Sequence, residues 1–262
     1  MPSSSYAYVS GRFLPEAQAS VSIFDRGFLY GDGVFETMRT YGGRIFRAVE
    51  HMDRLFTGLQ ALGIESVLSP EELRAVCRSL TEMNEISEGV ARVYRTRDSI
   101  VVTVQPHELA TQNLTALVST IRIDSHLSQH KTANRLPYIL ALQEAANEGA
   151  DEAVMLNAAG RVVEFTTSNL FIVMDGQLYT PPLKDGPLPG ITRHVVLTLA
   201  EEMGIPVNET GFGPEFLETA DEVFATNSLI EIAPVTNWGQ SQELTRQLHE
   251  GYRAFVAEEL GF

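Results

Sequence analysis

The spacing of apolar residues in the first third of the chain predicts strands followed by two helices. The segments YAYV and VFETMRTY alternate as half-buried strands do, and Gly42-Gly43 after the second segment predicts a tight hairpin. A helix ended by Gly63 follows. Its apolar face consists of Val49, Met52, Leu55, Phe56, Leu59 and Leu62. Ser69 is a typical N-cap residue, and it predicts a second helix from Pro70 to about Asn84.

The rest of the chain predicts a mixed fold in two parts. The strand-like runs ARVYRT, IVVTV and LTALVSTIRI precede a polar stretch, DSHLSQH, that is typical of a linker. A helix from about Leu136 to Asn147 then leads into the strand pairs DEAVMLN with RVVEFTT and LFIVM with QLYT. The segment ITRHVVLTLAEEMG predicts a helix, DEVFATNSLIEIAPV further strand, and Gln242 to Glu259 a closing helix. This irregular alternation indicates two α/β or α+β domains.

The composition excludes several classes of function. A formal net charge of -15 disfavours unspecific attraction to nucleic acid or anionic lipid, so an anionic ligand needs a local site. The single cysteine, Cys77, lies in a predicted helix and excludes an internal disulfide and a CxxC metal site. The segment MPSSSYAYVSGRF lacks the features of a signal peptide, and no run approaches about 18 apolar residues. A cytoplasmic enzyme or binding protein is therefore expected, with no metal, nucleic acid or membrane partner.

The rarity of lysine singles out Lys131. Of the 19 basic residues only Lys131 and Lys184 are lysines, and the other 17 are arginines. A lysine amine in an apolar setting condenses with carbonyl groups and moves protons. The helix face of Leu136, Ile139 and Leu140 follows Lys131 and predicts its partial burial. From position alone a surface lysine at the end of a linker is the more common case, and Lys184 in PPLKDGP is expected to be an exposed loop residue.

Two further features indicate an anionic ligand with a ring. In LPGITRH the amides of Ile191 and Thr192 open a helix and form a potential anion site. Arg54 offers a matching cation and Ser228 a further hydroxyl, although both also occur on ordinary protein surfaces. Glu164 follows two valines in a buried strand and needs a partner, either a protonated ring nitrogen or an arginine. An amine, an anion site and a buried carboxylate are together what pyridoxal phosphate requires.

Six stretches between Phe24 and Val235 resemble the class IV aminotransferases, the fold-type IV pyridoxal phosphate enzymes. They are FDRGFLYGDGVFETMR, EHMDRL, HKTANRL, GADEAVMLNAAGRVVEFTTSNLFIV, LPGITR and DEVFATNSLIEIAPV. This family includes branched-chain and D-amino-acid aminotransferases, R-selective amine transaminases and aminodeoxychorismate lyases. The resemblance implies a small N-terminal α/β domain at 1–120, a linker at 121–130 and a larger C-terminal pseudo-barrel domain at 131–262. It also implies a homodimer with active sites at its interface.

The resemblance implies roles for individual residues. It makes Lys131 the catalytic residue, which forms a Schiff base with pyridoxal 5'-phosphate, and it makes Glu164 the contact of the pyridine nitrogen. The other cofactor-binding residues implied are Arg54, Arg122, Leu188, Gly190, Ile191, Thr192, Asn227 and Ser228. The substrate-binding residues implied are Phe35, Thr37, Arg92 and Leu229.

These motifs predict a transaminase that uses an amino donor and a 2-oxo acid, with a lyase as the alternative. The motif FETMR, with Thr37, and the motifs NRL and TNSL are similar to those of the aminodeoxychorismate lyases, which release pyruvate and p-aminobenzoate. The motif IEIAPV, with Glu231, is similar to that of the transaminases. The loop in ARVYRTRDSIVVTV is too short for the carboxylate trap of the D-amino-acid enzymes. Arg92, or else Arg95 or Arg97, is predicted to bind a substrate carboxylate. The handedness of the donor stays open, and a non-catalytic binding protein is disfavoured because amine, carboxylate and phosphate set are all present.

Overall fold

A computed structural model describes residues 5–109 and 113–262 of the chain. These residues form two compact units. The first unit contains residues 5–109 and 130–135, and the second contains residues 113–129 and 136–262. Among the helices of the described residues, none is both long and apolar enough to cross a membrane.

Within its described residues, the first unit has a six-stranded sheet and three α-helices. The strands are β1 (Tyr6–Val9), β2 (Arg12–Pro15), β3 (Gly33–Tyr41), β4 (Arg44–Ile45), β5 (Gly89–Thr96) and β6 (Ile100–Pro106). The helices are α1 (Arg26–Tyr30), α2 (Ala48–Ala61) and α3 (Pro70–Met83). The strand order is β2-β1-β6-β5-β3-β4, and each of these pairings is antiparallel.

Local sequence signals decide where several of these elements begin and end. Gly42 and Gly43 adopt positive φ values of 52° and 79° in the hairpin between β3 and β4, which confirms the predicted turn. Gly63, with φ 61°, ends α2 as predicted. Ser69 caps α3 through a capping box, because its hydroxyl accepts from the Glu72 amide and its amide donates to the Glu72 carboxylate. These predictions are confirmed since each depends only on neighbouring residues.

Helices α2 and α3 pack on one face of the sheet and bury an apolar core there. The core includes Val34, Met38, Met52, Leu55, Leu59, Leu73, Cys77, Leu80, Val93 and Val102. The predicted apolar face of α2 is confirmed except at Val49, which is 49% exposed. Because alternate residues of β3 enter this core, the residues between them face the other side of the sheet. That second face carries the candidate chemistry described below.

Within its described residues, the second unit has two sheets and four α-helices. The smaller sheet has the order β7 (Ala116–Ile123), β8 (Glu152–Asn157) and β9 (Val162–Phe165). The larger sheet has the order β12-β11-β10-β13-β14, and its strands are β10 (Asn169–Met174), β11 (Gln177–Thr180), β12 (Val207–Glu209), β13 (Glu222–Asn227) and β14 (Glu231–Gly239). The helices are α4 (Ser125–Ser128), α5 (Leu136–Asn147), α6 (Ile191–Glu202) and α7 (Glu243–Leu260). Short 3-10 helices occur at Glu16–Gln18, Leu183–Asp185 and Pro214–Thr219.

The helices of the second unit are fixed by packing and by a buried carboxylate. Helix α5 contributes Tyr138 and Ala141 to a core with β7, β8 and β9. Glu222 accepts hydrogen bonds from the amides of Leu244 and Thr245, which lie in the first turn of α7. The predictions of α5, α6 and α7 are confirmed, with ends that differ by at most two residues.

The two units differ in extent from the predicted domains. Strand β7 lies in the predicted first domain and linker, but it pairs in parallel with β8 and belongs to the second unit. The predicted linker at 121–130 contains the end of β7 and all of α4. Residues 130–135, predicted to begin the second domain or to end the linker, belong to the first unit. Periodicity identifies a strand but not its partner, which is why the predicted boundaries fall elsewhere.

Candidate active site

Lys131 lies in an extended segment that pairs with the beginning of β3. The Phe35 amide donates to the Lys131 carbonyl at 2.9 Å, and the Ala133 amide donates to the Gly33 carbonyl at 2.8 Å. The backbone of Lys131 is therefore fixed to the sheet of the first unit. Its Nζ atom lies 4.6 Å from the centroid of the Phe35 ring, and this cation–π contact holds the half-buried side chain over the aromatic face.

The surroundings of the two lysines differ. Lys184 is exposed within the short helix Leu183–Asp185, as predicted. The α5 face that was predicted to bury Lys131 is not packed away, because Leu136, Ile139 and Leu140 are 60%, 58% and 45% exposed. Phe35 is an apolar contact of Lys131.

The sheet face around Lys131 carries three of the predicted substrate residues. Phe35 and Thr37 alternate with core residues of β3 and are both half-buried, so they lie on the face opposite the core. On β5, Tyr94 is the partner of Phe35 and Arg92 the partner of Thr37. The Phe35 and Tyr94 rings stack with centroids 5.3 Å apart. An amine, two aromatic rings, a hydroxyl and a guanidinium are thus assembled on one sheet face.

The register separates the three arginines that were considered for the substrate carboxylate. Arg92 lies on the face of Phe35 and Thr37. Arg95 is buried and donates to backbone carbonyls of Glu65 and of the β5–β6 turn. Arg97 lies in that turn, where its guanidinium bonds the carboxylate of Asp32. The geometry therefore favours Arg92 over the two alternatives.

Arg54 on α2 forms an ion pair with a buried carboxylate, that of Glu36. Its Nε and Nη2 atoms both donate to Glu36, each at 2.8 Å, in a bidentate pair. His51, one turn earlier, places Nδ1 2.8 Å from the same carboxylate. Burial alone would raise the pKa of Glu36, but the charge and hydrogen bonds of Arg54, with the bond of His51, hold that pKa well below its usual range. Burial lowers the pKa of His51; the hydrogen bond and charge of Glu36 oppose this shift, and the charges of Arg54 and Lys131 add to it.

Glu164 is buried in the second unit and accepts several hydrogen bonds. The Tyr138 hydroxyl donates to Oε1 at 3.2 Å, and the Leu188 amide donates to Oε2 at 3.0 Å. Asn169 donates from Nδ2 to Oε2 at 3.3 Å and to the Leu188 carbonyl at 2.8 Å. These contacts come from α5, β10 and the loop before α6, so the carboxylate is fixed from three directions. The hydroxyl and amide groups among its partners are neutral hydrogen-bond donors.

The beginning of α6 has the features of an anion site. Gly190 is the N-cap, and no side chain caps the helix. The first amides, those of Ile191 and Thr192 among them, have no acceptor within the helix, and the Thr192 side chain is buried beside them. A Cβ atom at Gly190 would lie 1.8 Å from Oδ1 of Asn169, so a larger residue here would displace the Asn169 side chain. Asn169 thus links the anion site to Glu164.

The turn after β13 places Ser228 and Leu229. Asn227 shapes this turn, because its Oδ1 accepts from the amides of Leu229 and Ile230 at 2.8 and 2.9 Å. Ser228 and Leu229 are both half-buried. Glu231, at φ 58°, ends the turn in a conformation that is rare outside glycine. The structure therefore shows Asn227 as a residue that orders the turn.

Arg122 is the predicted site residue with the weakest structural support. Its side chain is exposed, and Nη1 donates to the Ser119 carbonyl at 2.8 Å. Contact with a phenolic oxygen stays a prediction. Across residues 5–109 and 113–262, no group of three or more His, Cys, Asp or Glu is placed to hold a metal ion.

Sequence reasoning missed several residues that surround the predicted ones. Glu36 and His51 lie inside the motifs FETMR and EHMDRL, and the spacing of His51 and Arg54 on one helix face was a usable signal. Asn169 lies inside FTTSN directly after the Glu164 strand. Tyr138 carried no signal, because one tyrosine in an apolar helix is ordinarily a core residue.

Comparison with known proteins agrees with this geometry. Residues 33–238 match the family described as Amino-transferase class IV. The putative branched-chain-amino-acid aminotransferase of Methanocaldococcus jannaschii is 36% identical over 272 residues, which cover 94% of this chain and 94% of that protein. The D-alanine aminotransferase of Staphylococcus aureus strain MSSA476 is 31% identical over 274 residues, covering 95% of this chain and 97% of that protein.

A solved structure extends the likeness to the whole fold. The branched-chain aminotransferase of Thermoproteus uzoniensis, crystallised with norvaline, superposes with a TM-score of 0.89 at 31% identity, covering 96% of this chain and 94% of that chain. These relatives are named as aminotransferases, so the lyase alternative is not better supported. The predicted fold class, enzyme class and cofactor are confirmed. The chain belongs to the class IV aminotransferases, the fold-type IV enzymes that transfer amino groups with pyridoxal phosphate.

Proposed function

We propose that this enzyme transfers the amino group of an aliphatic L-amino acid of the branched-chain type to a 2-oxo acid, with Lys131 as its catalytic amine. The observation that carries the proposal is the position of the Lys131 amine over Phe35, on the sheet face that also holds Thr37 and Arg92. The aromatic surface of Phe35 and Tyr94 suits an apolar substrate side chain. The guanidinium of Arg92 suits a carboxylate.

The residues fit pyridoxal phosphate by the chemistry of their donor sets. The start of α6 offers helix amides without a side-chain cap, which suit a phosphate, and Glu164 offers a buried carboxylate held by neutral donors, which suits a protonated ring nitrogen. When bound, the cofactor supplies an aldehyde for an amine and a ring that accepts electrons. The residues proposed to bind its phosphate are Arg54, Ile191, Thr192 and Ser228. Leu188 is proposed to pack against the ring, and Arg122 to contact its phenolic oxygen.

Each of the central side chains has a definite task in this proposal. Lys131 would hold the aldehyde carbon through Nζ, and the same amine, once released, would move the proton of the substrate α-carbon to the former aldehyde carbon of the cofactor. Glu164 would hold the proton on the ring nitrogen, and three hydrogen bonds fix its carboxylate in place. Gly190 and Asn227 act through the backbone, since one allows the start of α6 and the other shapes the turn that carries Ser228 and Leu229.

The connection between β5 and β6 favours a branched-chain donor over D-alanine. It consists of residues 97–99 only and is closed by a hydrogen bond from the Thr96 amide to the Ser99 carbonyl at 3.0 Å. Its arginine, Arg97, is bound to Asp32 and to the carbonyls of Leu62 and Gly63. This turn is too short to form the loop that binds the substrate carboxylate in the D-amino-acid enzymes. Its arginine is also already bound to other groups. The relative from Methanocaldococcus jannaschii, named for branched-chain substrates, supports the same choice.

A titration of the cofactor-loaded enzyme tests the proposed donor. L-Valine, L-leucine and L-isoleucine are expected to discharge its visible absorption at least about 100-fold faster than D-alanine, because the wrong hand misplaces the α-hydrogen from Lys131. Adding a 2-oxo acid is expected to restore the absorption. Faster discharge by D-alanine would assign the enzyme to D-amino acids. Formation of p-aminobenzoate from aminodeoxychorismate, without discharge by any amino acid, would establish the lyase instead.

We also propose that the enzyme is a homodimer. The segment around α1 exposes a set of large apolar side chains, Ile23, Phe24, Phe28 and Tyr30, with exposed fractions of 68%, 77%, 69% and 67%. Large apolar side chains that are exposed in one short segment often mark a protein interface. A second copy of the chain is the proposed partner, as the resemblance implies.

Light scattering is expected to give a mass of twice 28.9 kDa for the wild-type protein. Replacing both Phe24 and Phe28 with glutamate should reduce the mass to that of one chain, because charges enter the apolar surface. Val67→Glu is the matched control, since Val67 is 81% exposed outside this segment and should leave the mass unchanged. A double variant that keeps the wild-type mass would remove this surface from the interface.

A further inference from the structure

We propose that Glu36 is a positioning residue for the cofactor phosphate, which it serves by fixing the guanidinium of Arg54 with the help of His51. This inference rests on the proposed function, in which Arg54 binds the phosphate. Glu36 itself is fully buried, so it touches neither solvent nor ligand and acts only through Arg54.

Stability alone does not explain a carboxylate at this position. Glu36 lies between Val34 and Met38 on the core side of β3, and both of these neighbours are buried in the apolar core. An ion pair in such a place is often no more stabilising than apolar side chains of the same volume. The chain nevertheless places Glu36, His51 and Arg54 here together. A requirement other than folding, such as the orientation of a ligand-binding group, accounts for them.

The geometry of the pair fixes the direction of the guanidinium. Glu36 accepts from Nε and Nη2 of Arg54, which are two atoms on one edge of a planar group. Because both contacts measure 2.8 Å, rotation of the plane would break at least one of them. The donors on the opposite edge therefore keep one direction. The Arg54 side chain is 11% exposed whereas that of Glu36 is 0% exposed, so the arginine alone reaches beyond the core.

His51 locks the carboxylate from the other side. An ionised carboxylate can only accept, so the Nδ1 atom of His51, 2.8 Å away, carries a proton and donates it to Glu36. Burial lowers the pKa of His51, which favours the neutral ring. A neutral ring places no further cation beside Arg54 and Lys131. The charges of Glu36 and Arg54 cancel each other, and the network orients Arg54 rather than adding positive charge to it.

Because the charges cancel, a role in charge and a role in orientation predict opposite effects of Glu36→Gln on phosphate binding. If the charge of Arg54 alone mattered, Glu36→Gln would leave that charge unopposed and would strengthen phosphate binding. If orientation matters, Glu36→Gln loosens the guanidinium and weakens phosphate binding. We expect the second result, with a loss of about 10-fold, the lower end of what removing a supporting partner of a ligand-binding group costs at metal sites.

The experiment compares two aldehydes that differ only in the phosphate. Apoenzyme is titrated with pyridoxal 5'-phosphate and with pyridoxal, and the dissociation constants are read from the visible absorption formed with Lys131. Glu36→Gln is expected to weaken pyridoxal phosphate about 10-fold and to leave pyridoxal unchanged. Glu36→Asp, which keeps the charge but shortens the side chain, is a second variant in case Glu36→Gln does not fold. Glu88→Gln is the matched control, because it breaks the Arg39–Glu88 pair in the same unit.

A double-mutant cycle with Arg54→Lys completes the test. If Glu36 acts through Arg54, Glu36→Gln has no further effect on phosphate discrimination once lysine replaces the arginine. Equal losses of affinity for both aldehydes, or tighter binding of pyridoxal phosphate, would overturn the role of Glu36 and leave the proposed function intact. Failure of the wild-type enzyme to develop absorption with either aldehyde would overturn both.

Discussion

Lys131→Ala is expected to lower kcat/KM for transamination by more than about 10⁴-fold, because it removes both the group that binds the aldehyde and the group that moves the proton. The structure gives no second amine at this position, since the only other lysine in the sequence is Lys184, which is exposed in the second unit. The variant should fold, because Lys131 is held by backbone hydrogen bonds that alanine also makes.

Chemical trapping locates the amine independently of activity. Borohydride adds hydride to the C=N bond between lysine and pyridoxal phosphate and leaves a stable secondary amine that mass spectrometry can map. Wild-type enzyme should carry this label on the peptide with Lys131. Lys184→Ala is the matched control and should keep both label and activity, whereas Lys131→Ala should lose both.

Lys131→Arg separates charge from nucleophilicity. Arginine keeps a cation over the Phe35 ring, but its guanidinium does not lose a proton under these conditions and cannot condense with the aldehyde. Activity as low as that of Lys131→Ala is therefore expected. A Lys131→Arg variant that retained label and activity would place the catalytic amine elsewhere in the chain.

The parts of the fold that sequence predicts well are those determined by neighbouring residues. The hairpin at Gly42-Gly43 needs two residues with positive φ, and the start of α3 needs the hydroxyl of Ser69 and the carboxylate of Glu72. Helix α5 runs from Leu136 to Asn147, as predicted, although Leu136, Ile139 and Leu140 are exposed. In each case the physical cause lies within a few residues of the element.

Partners that are distant in the sequence could not be predicted in this way. Strand β7 reads as a strand, yet nothing in its residues names β8 as its parallel partner. In the sequence Glu36 is one polar residue in an alternating strand. Only the packing of α2 on the sheet shows that His51 and Arg54 form hydrogen bonds with it. The resemblance implied which residues react, whereas the residues that orient them could be identified only from the structure.

Glu164→Gln is expected to lower kcat by about 10²- to 10³-fold, because it removes the charge that keeps the ring nitrogen protonated while electrons move into the ring. The effect should fall on kcat rather than on KM, since the charge matters most when the ring is rich in electrons. Glutamine has nearly the same shape, but the amide groups of Asn169 and Leu188 can only donate, so its NH₂ group has to face Tyr138, whose hydroxyl must turn to accept. A moderate loss of stability is therefore expected as well.

Two further variants separate the electrostatic role of Glu164 from its effect on folding. Glu222→Gln also replaces a buried glutamate of the second unit, at the start of α7, and should cost stability without a comparable loss of kcat. Tyr138→Phe keeps the Glu164 charge but removes one of its hydrogen bonds, so a loss of kcat of about 10-fold or less is expected.

NMR of enzyme loaded with cofactor labelled with ¹⁵N in the ring reports the protonation of the ring nitrogen directly. The resonance of a protonated pyridine nitrogen should be present in wild-type enzyme and absent in Glu164→Gln. If the nitrogen stays protonated in Glu164→Gln, another group must hold that proton, and Glu164 then serves only to order the loop at Leu188.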